Sequence, residues 1–290
     1  MSCAGHESAS SDSRPRKHLG TILALLLAGL AAVSVSPRSA SGGSEGVPRL
    51  VFPLVAKTAL WDNYGDPRAN GSHAGIDMEN PWRAPVVAVE AGRVKYWDSG
   101  LGGCMLYLYG RSGTMYMYIH LNNDLTARND NRGRCNEVAF TVPDGAKVAA
   151  GEQIAWNGDS GDANGNPHLH FEVHPGGGAD TNPYRYLRQA SRPLFAAKPG
   201  SKFSLGLRGK LLSGGEDVVE LEVTSVRHYP GGRWLDIDPR PVVLTVPIET
   251  AIAPSLGMVA SLERREPKTT LEAILGTSGA LAARRVSPAR

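Results

Sequence analysis

The sequence predicts a mainly β protein: a larger β domain followed by a small β-rich one. Three observations predict it. Thirty-four glycines and 20 prolines stand against only 5 phenylalanines in 290 residues, a composition that favours turns and short strands. Short apolar runs separated by Gly, Asp and Asn continue from Leu50 to about Leu194 without an amphipathic helix. Further on, Val219, Leu221 and Val223 alternate with Glu220, Glu222 and Thr224, the period-two pattern of a half-exposed strand. Apolar residues at 41% and charged residues at 20% exclude a disordered, collagen-like or coiled-coil chain. The length leaves room for one large domain or two modest ones.

Taken in order, residues 1–40 read as a targeting segment. The basic cluster Arg14-Pro15-Arg16-Lys17-His18 precedes an apolar run, Leu19 to Val33, and then small, turn-prone residues from Ser34 to Gly46. That is the order of a secretory signal peptide, cleaved near Ser34 to Ala40, and the run is shorter than the roughly 20 residues a membrane span needs. If it is not cleaved, the same segment is a membrane anchor. Without it the chain keeps 27 basic against 26 acidic residues, close to neutral. No global field therefore draws it to nucleic acid. Residues 41–49 read as a linker and 50–196 as the larger domain. Its strand-like runs include Val86 to Val89, Met105 to Tyr109, Met115 to Ile119 and Leu169 to Val173. Lys198-Pro199-Gly200-Ser201 marks a boundary. Residues 201–255 read as a small β domain of barrel or sandwich type, and 256–290 as a weakly structured tail.

Export places Cys104 and Cys135 in an oxidising environment, where a single disulfide is expected; otherwise they are two unrelated buried thiols. A bridge would pin the polar loop after His120, which has little apolar surface to hold it.

Five of the eight histidines fall between positions 73 and 174. In His73-Ala74-Gly75-Ile76-Asp77, a turn leading into a strand would let His73 and Asp77 converge, with Gly75 permitting the bend. In His168-Leu169-His170-Phe171-Glu172-Val173-His174, strand alternation turns Leu169, Phe171 and Val173 to the core. His168, His170, Glu172 and His174 then stand in a row on the other face, about 7 Å apart. His120 ends the strand Met115 to Ile119. Zinc in a hydrolytic site takes three N or O ligands and keeps a fourth position for water. His73, Asp77 and one imidazole of the His168/His170 pair supply that set, and the leftover imidazoles can move protons. The one Gly-x-Ser-x-Gly, Gly42 to Gly46, lies in the linker without the strand and helix of a nucleophile elbow.

Three features in this order carry a resemblance: His-x-Gly-x-Asp, a strand ending Tyr-x-His-Leu, and Gly-Asp-Ser-Gly leading into Pro-His-Leu-His-Phe-Glu-Val. Together they resemble the lysostaphin-like, LytM-domain family of zinc metalloendopeptidases, over about residues 50–190. The resemblance implies a compact domain of antiparallel sheets with a groove over one sheet face. It implies Zn2+ held by His73, Asp77 and His170, catalytic His120 and His168, and peptide bonds of bacterial peptidoglycan as substrate. Asn122 to Pro143 is longer and more polar than the connection expected there. The competing readings are a non-catalytic cell-wall-binding or amidase-regulating domain of the same type, and a peptidase for soluble peptides.

Overall fold

The computed structural model describes residues 46–69, 71–198, 204–215, 217–229 and 231–246, and the strand backbones at 251–252, 268–275 and 281–288. The targeting segment 1–40 and the start of the linker lie outside the described residues.

The first half is built on strands β1 (Pro67–Arg68), β2 (Gly71–Ser72), β3 (Ile76–Glu79), β4 (Pro85–Val87), β5 (Gly92–Ser99), β6 (Gly103–Gly110) and β7 (Met115–Leu121). A one-turn helix α1 (Cys135–Val138), strands β8 (Lys147–Val148), β9 (Gln153–Trp156) and β10 (His168–His174), and a short helix α2 (Tyr184–Gln189) follow. Six strands form one antiparallel sheet in the order β3-β10-β7-β6-β5-β8, and β4 pairs with β9 beside it.

Alternation decides which face is buried. Leu169, Phe171 and Val173 of β10 are fully buried, as are Tyr116 and Tyr118 of β7, Leu106 and Leu108 of β6, and Ile76 and Met78 of β3. They pack against Leu50, Phe52, Leu54, Val86 and Ile154. The two core tyrosines keep their polar ends satisfied: Tyr116 donates to Glu90 at 2.6 Å, and the Val89 N–H donates to the Tyr118 oxygen at 3.0 Å. Phe171 is edge-on to Tyr118 and stacked on Tyr116. This face is therefore rigid, and the intervening residues on the other face are held at fixed spacing above it.

The C-terminal part consists of β11 (Ser204–Gly214), β12 (Val218–His228), β13 (Leu235–Thr245), β14 (Ala251–Ile252), β15 (Lys268–Leu275) and β16 (Leu281–Pro288). Five of them close on themselves: β13-β12-β11-β15-β16 run in sequence, and β16 pairs parallel to β13. Leu205, Leu207, Leu221, Val223 and Leu244 fill the inside. The β structure thus continues past residue 255, where composition suggests a weak tail. The reason is non-local: the second edge of β11 needs a partner, and the backbone of 268–275 supplies it. Among the described residues no helix is long and apolar enough to cross a membrane.

Candidate metal centre

The site is assembled on three neighbouring strands. His170 of β10 lies directly opposite Asp77 of β3, and on its other side opposite Ile119 of β7, which precedes His120. Cross-strand neighbours in this arrangement have side chains within touching distance. His73 enters from the turn before β3.

Three ligand atoms meet there. His73 Nε2 lies 3.0 Å from Asp77 Oδ1 and 2.9 Å from His170 Nδ1, and His170 Nδ1 lies 2.8 Å from the same Asp77 oxygen. Tetrahedral zinc ligands at about 2.0–2.2 Å from the metal are about 3.3 Å apart, so the three atoms are close enough to share one small cation. The outer nitrogens determine which inner ones carry lone pairs. His73 Nδ1–H donates to the Asn63 carbonyl at 2.6 Å, and His170 Nε2–H donates to Glu172 Oε1 at 3.0 Å. Both inner nitrogens are then bare acceptors pointing at a carboxylate oxygen, an arrangement that requires a cation or a proton between them. Two nitrogens and one carboxylate oxygen suit zinc among the common metals.

The electrostatics agree. Burial opposes charge on Asp77, yet hydrogen bonds from His170 and His73 outweigh it and hold the carboxyl far below the usual carboxylate range. Burial likewise opposes a charged His170, but Asp77 and Glu172 overcome it and push the group up to about 9. The pocket is built to receive positive charge.

Two further imidazoles lie beside this cluster. His168 Nδ1–H donates to the Asn166 carbonyl at 2.8 Å, leaving Nε2 3.7 Å from Asp77 Oδ1. His120 Nδ1–H donates to the Ser160 carbonyl at 2.9 Å, and its ring lies 4.8 Å from that of His168 and 6.1 Å from that of His170. Burial, and then the neighbouring His168, push His120 down to about 4, so it is a free base at neutral pH. Its backbone is left-handed (φ 62°), uncommon for a residue with a side chain and costing on the order of 1–3 kcal/mol where it persists. Gly75 is needed for a reason other than a bend: a Cβ there would stand 2.5 Å from the Phe171 carbonyl and 2.8 Å from His170 Nε2.

These groups lie in a groove of about 770 Å³ on the open sheet face, floored by Met105, Met117 and Ile119 and rimmed by Arg68, Asp162 and Asn164. Sequence reasoning missed several residues that shape it. Asn63 holds His73 through its carbonyl and the Asp77 N–H through its side chain at 3.1 Å. Arg68 donates to the outer oxygen of Asp77 at 2.6 Å. Ser160 orients His120 and accepts the Cys104 N–H at 2.8 Å. Asn63 and Arg68 sit in a stretch legible only as turn formers. Exposed His228, at the end of β12, is no part of the site.

Cys104 and Cys135 are joined, with Cα atoms 5.3 Å apart. The polar loop between His120 and Cys135 has an anchor of its own. Fully buried Asp124 accepts from the N–H groups of Asp130 and Asn131 at 2.7 and 2.8 Å and from Trp82 Nε1 at 2.8 Å. The loop reaches the groove rim through Asn129 and Asn131, which both donate to Asn164. A Cys104→Ser, Cys135→Ser double variant opens a ring of 32 residues. It is expected to lose about 3–4 kcal/mol in the loop-entropy account, or roughly 10 °C in Tm. Because Asp124 still ties the loop, we expect it to keep its metal and show altered cleavage kinetics, checked by metal analysis and steady-state rates.

The chain is similar to several known proteins. Residues 71–183 match peptidase family M23. The uncharacterized lipoprotein YgeR of Escherichia coli is 31% identical over 167 residues, which are 55% of this chain and 57% of that protein. The chain thus spans little more than half the length of that relative. Among solved structures, the catalytic domain of the antimicrobial peptidase lysostaphin from Staphylococcus simulans is 24% identical over 46% of this chain and 92% of its own, with a TM-score of 0.37. A zinc-containing peptidase from Vibrio cholerae is 22% identical over 50% of this chain and 41% of its own, also with a TM-score of 0.37. The stretch similar to peptidase family M23, residues 71–183, contains the His73, Asp77 and His170 cluster.

Proposed function

We propose that the protein is a secreted zinc metalloendopeptidase that hydrolyses peptide bonds in the stem or crosslink peptides of bacterial peptidoglycan. The observation that carries this reading is the arrangement of four imidazoles. Each of His73, His120, His168 and His170 ties one N–H to a carbonyl or carboxylate, which leaves the other ring nitrogen bare within the same cluster of imidazoles. His73 Nε2, Asp77 Oδ1 and His170 Nδ1 are the metal ligands. When bound, zinc supplies a Lewis acid and brings the pKa of a water it holds to about 7. His120 Nε2 and His168 Nε2 are the proton carriers. Between them they accept a proton as water oxygen bonds to the peptide carbonyl carbon, and return one to the amide nitrogen as the C–N bond breaks. The Met105, Met117 and Ile119 floor lies along the sheet, the shape an extended peptide needs. Similarity to peptidase family M23 supports the reaction class, and the basic and apolar segment before residue 40 supports export. The substrate follows from the resemblance to lysostaphin-like enzymes.

A gel embedding purified peptidoglycan tests this. We expect a cleared band that disappears with a chelator and returns with added Zn2+. Clearing that survives the chelator, or none from zinc-loaded protein, contradicts it.

A further inference from the structure

On the same sheet face, beyond the groove, a second cleft of about 680 Å³ is lined by Arg93, Tyr109, Arg111, Lys147, Lys198 and Glu152. Alternation puts it there. Val94 and Val148 are buried in the core, so Arg93 and Lys147 beside them point to solvent, and Tyr109 does the same beside buried Leu108. Arg93 of β5 lies directly opposite both Tyr109 of β6 and Lys147 of β8. Arg111 joins them from the turn after β6, where its backbone N–H donates to the Ala91 carbonyl at 2.9 Å.

The charges there are unbalanced. Like charges directly opposite on adjacent strands repel, and Arg93 and Lys147 are such a pair. Two carboxylates beside the cleft are engaged elsewhere. Glu152 is buried and accepts the Ala149 N–H at 3.0 Å, and Glu90, next to Gly110, accepts from Ser112 and Tyr116. Arg93 donates to the Gly145 carbonyl, a neutral partner. Among the described residues no carboxylate pairs with Arg93, Arg111 or Lys147. By contrast Lys95, the next cation along the same face of β5, is paired with Asp144 at 2.7 Å. The chain without residues 1–40 is close to neutral, so this excess is local.

Register also sets the distance from the metal centre. Tyr109 stands opposite Met115, four residues along β7 from the Ile119 that faces His170, and Arg93 is three strands from β10. At about 3.3 Å per residue and about 4.8 Å per strand, the two sites are on the order of 20 Å apart. A peptide held at the metal would need about six extended residues to reach the cleft. The cleft therefore suits a ligand of its own.

We infer that this cleft binds a polyanion of the cell surface, a chain of repeating phosphodiesters, and holds the protein on it. Cations facing each other across strands need a ligand with several negative charges, and the forked N–H donors of two arginines fit phosphate oxygens. The exposed Tyr109 ring gives the carbon backbone of such a polymer an apolar surface to lie on. Of the reading above this takes only export, and it does not need the zinc site. A protein held on a surface polymer meets neighbouring substrate at raised effective concentration.

The test is binding of the full mature chain to polyglycerol phosphate, measured by calorimetry at two salt concentrations. We expect an affinity that falls as salt rises. The double variant Arg111→Gln, Lys147→Gln should bind about 10–30-fold more weakly. The double variant Arg128→Gln, Arg185→Gln removes the same charge at exposed positions elsewhere and should stay within about twofold of wild type. A chelator should leave binding unchanged. Binding lost with the chelator would put the polymer at the metal centre and overturn the inference. No binding by the wild type, or equal loss in the two double variants, overturns it too, as does tighter binding of polyglutamate, single-stranded DNA or phosphatidylglycerol vesicles. Binding without clearing of peptidoglycan defeats the peptidase reading and leaves this inference standing, and clearing without binding does the reverse.

Discussion

His170→Ala is expected to emerge from purification without zinc and without peptidase activity. Its Nδ1 is one of the three proposed ligand atoms among the described residues, and the two that remain, on His73 and Asp77, should bind a metal too weakly to hold it through purification. Losing the Lewis acid and its acidified water removes several kcal/mol of transition-state stabilisation, on the order of 10³-fold or more in rate. The fold should survive, because His170 lies on the groove face, while the core face of β10 is made by Leu169, Phe171 and Val173. Metal analysis of the purified variant checks the first part, and an unchanged circular dichroism spectrum the second. Full zinc occupancy would mean that the ligand is another residue.

The second large effect separates proton carriers from ligands. His120→Ala and His168→Ala should each keep stoichiometric zinc while kcat/KM falls by about 10²–10⁴-fold, the usual contribution of a placed proton carrier. The pH dependence follows from the direction of the shift. Burial, with His168 beside it, lowers His120 to about 4, so it stays a free base from neutral pH until the pH nears that value. Wild-type activity should therefore persist to about pH 5 on this limb and be lost as pH falls through about 4. A limb centred near the ordinary imidazole value would contradict the proposed role of His120 as a buried base. Metal-free preparations of either variant would show a wrong division of roles.

How much of this the sequence shows depends on how local each feature is. The 168–174 row is legible because strand periodicity is local and the apolar positions alternate without a break. His73 and Asp77 are legible as a pair, since only four residues separate them. What the sequence does not reveal is which strands lie side by side. That Asp77 faces His170 across β3 and β10 is a matter of register between segments more than 90 residues apart. The same holds for the carbonyls of Asn63, Ser160 and Asn166, which set three imidazole orientations without any side-chain signal. Gly75 shows the difference clearly. Its presence is visible, but its reason, the close approach of His170 and the Phe171 carbonyl, exists only after folding. The loop after His120 looks unsupported because its composition is polar. Its support is polar too, a single buried carboxylate that gathers the loop's own N–H groups. The strands at 268–275 and 281–288 are called into register by the open edges of β11 and β13 rather than by their own pattern.

The most direct measurement of the central claim is mass spectrometry of fragments released from purified peptidoglycan by the zinc-loaded protein in 18O-labelled water. Hydrolysis of a peptide bond predicts a new carboxylate carrying one 18O, a new free amine, and intact glycan strands. Fragments cut within the glycan, or no labelled carboxylate from protein shown to hold zinc, would contradict it.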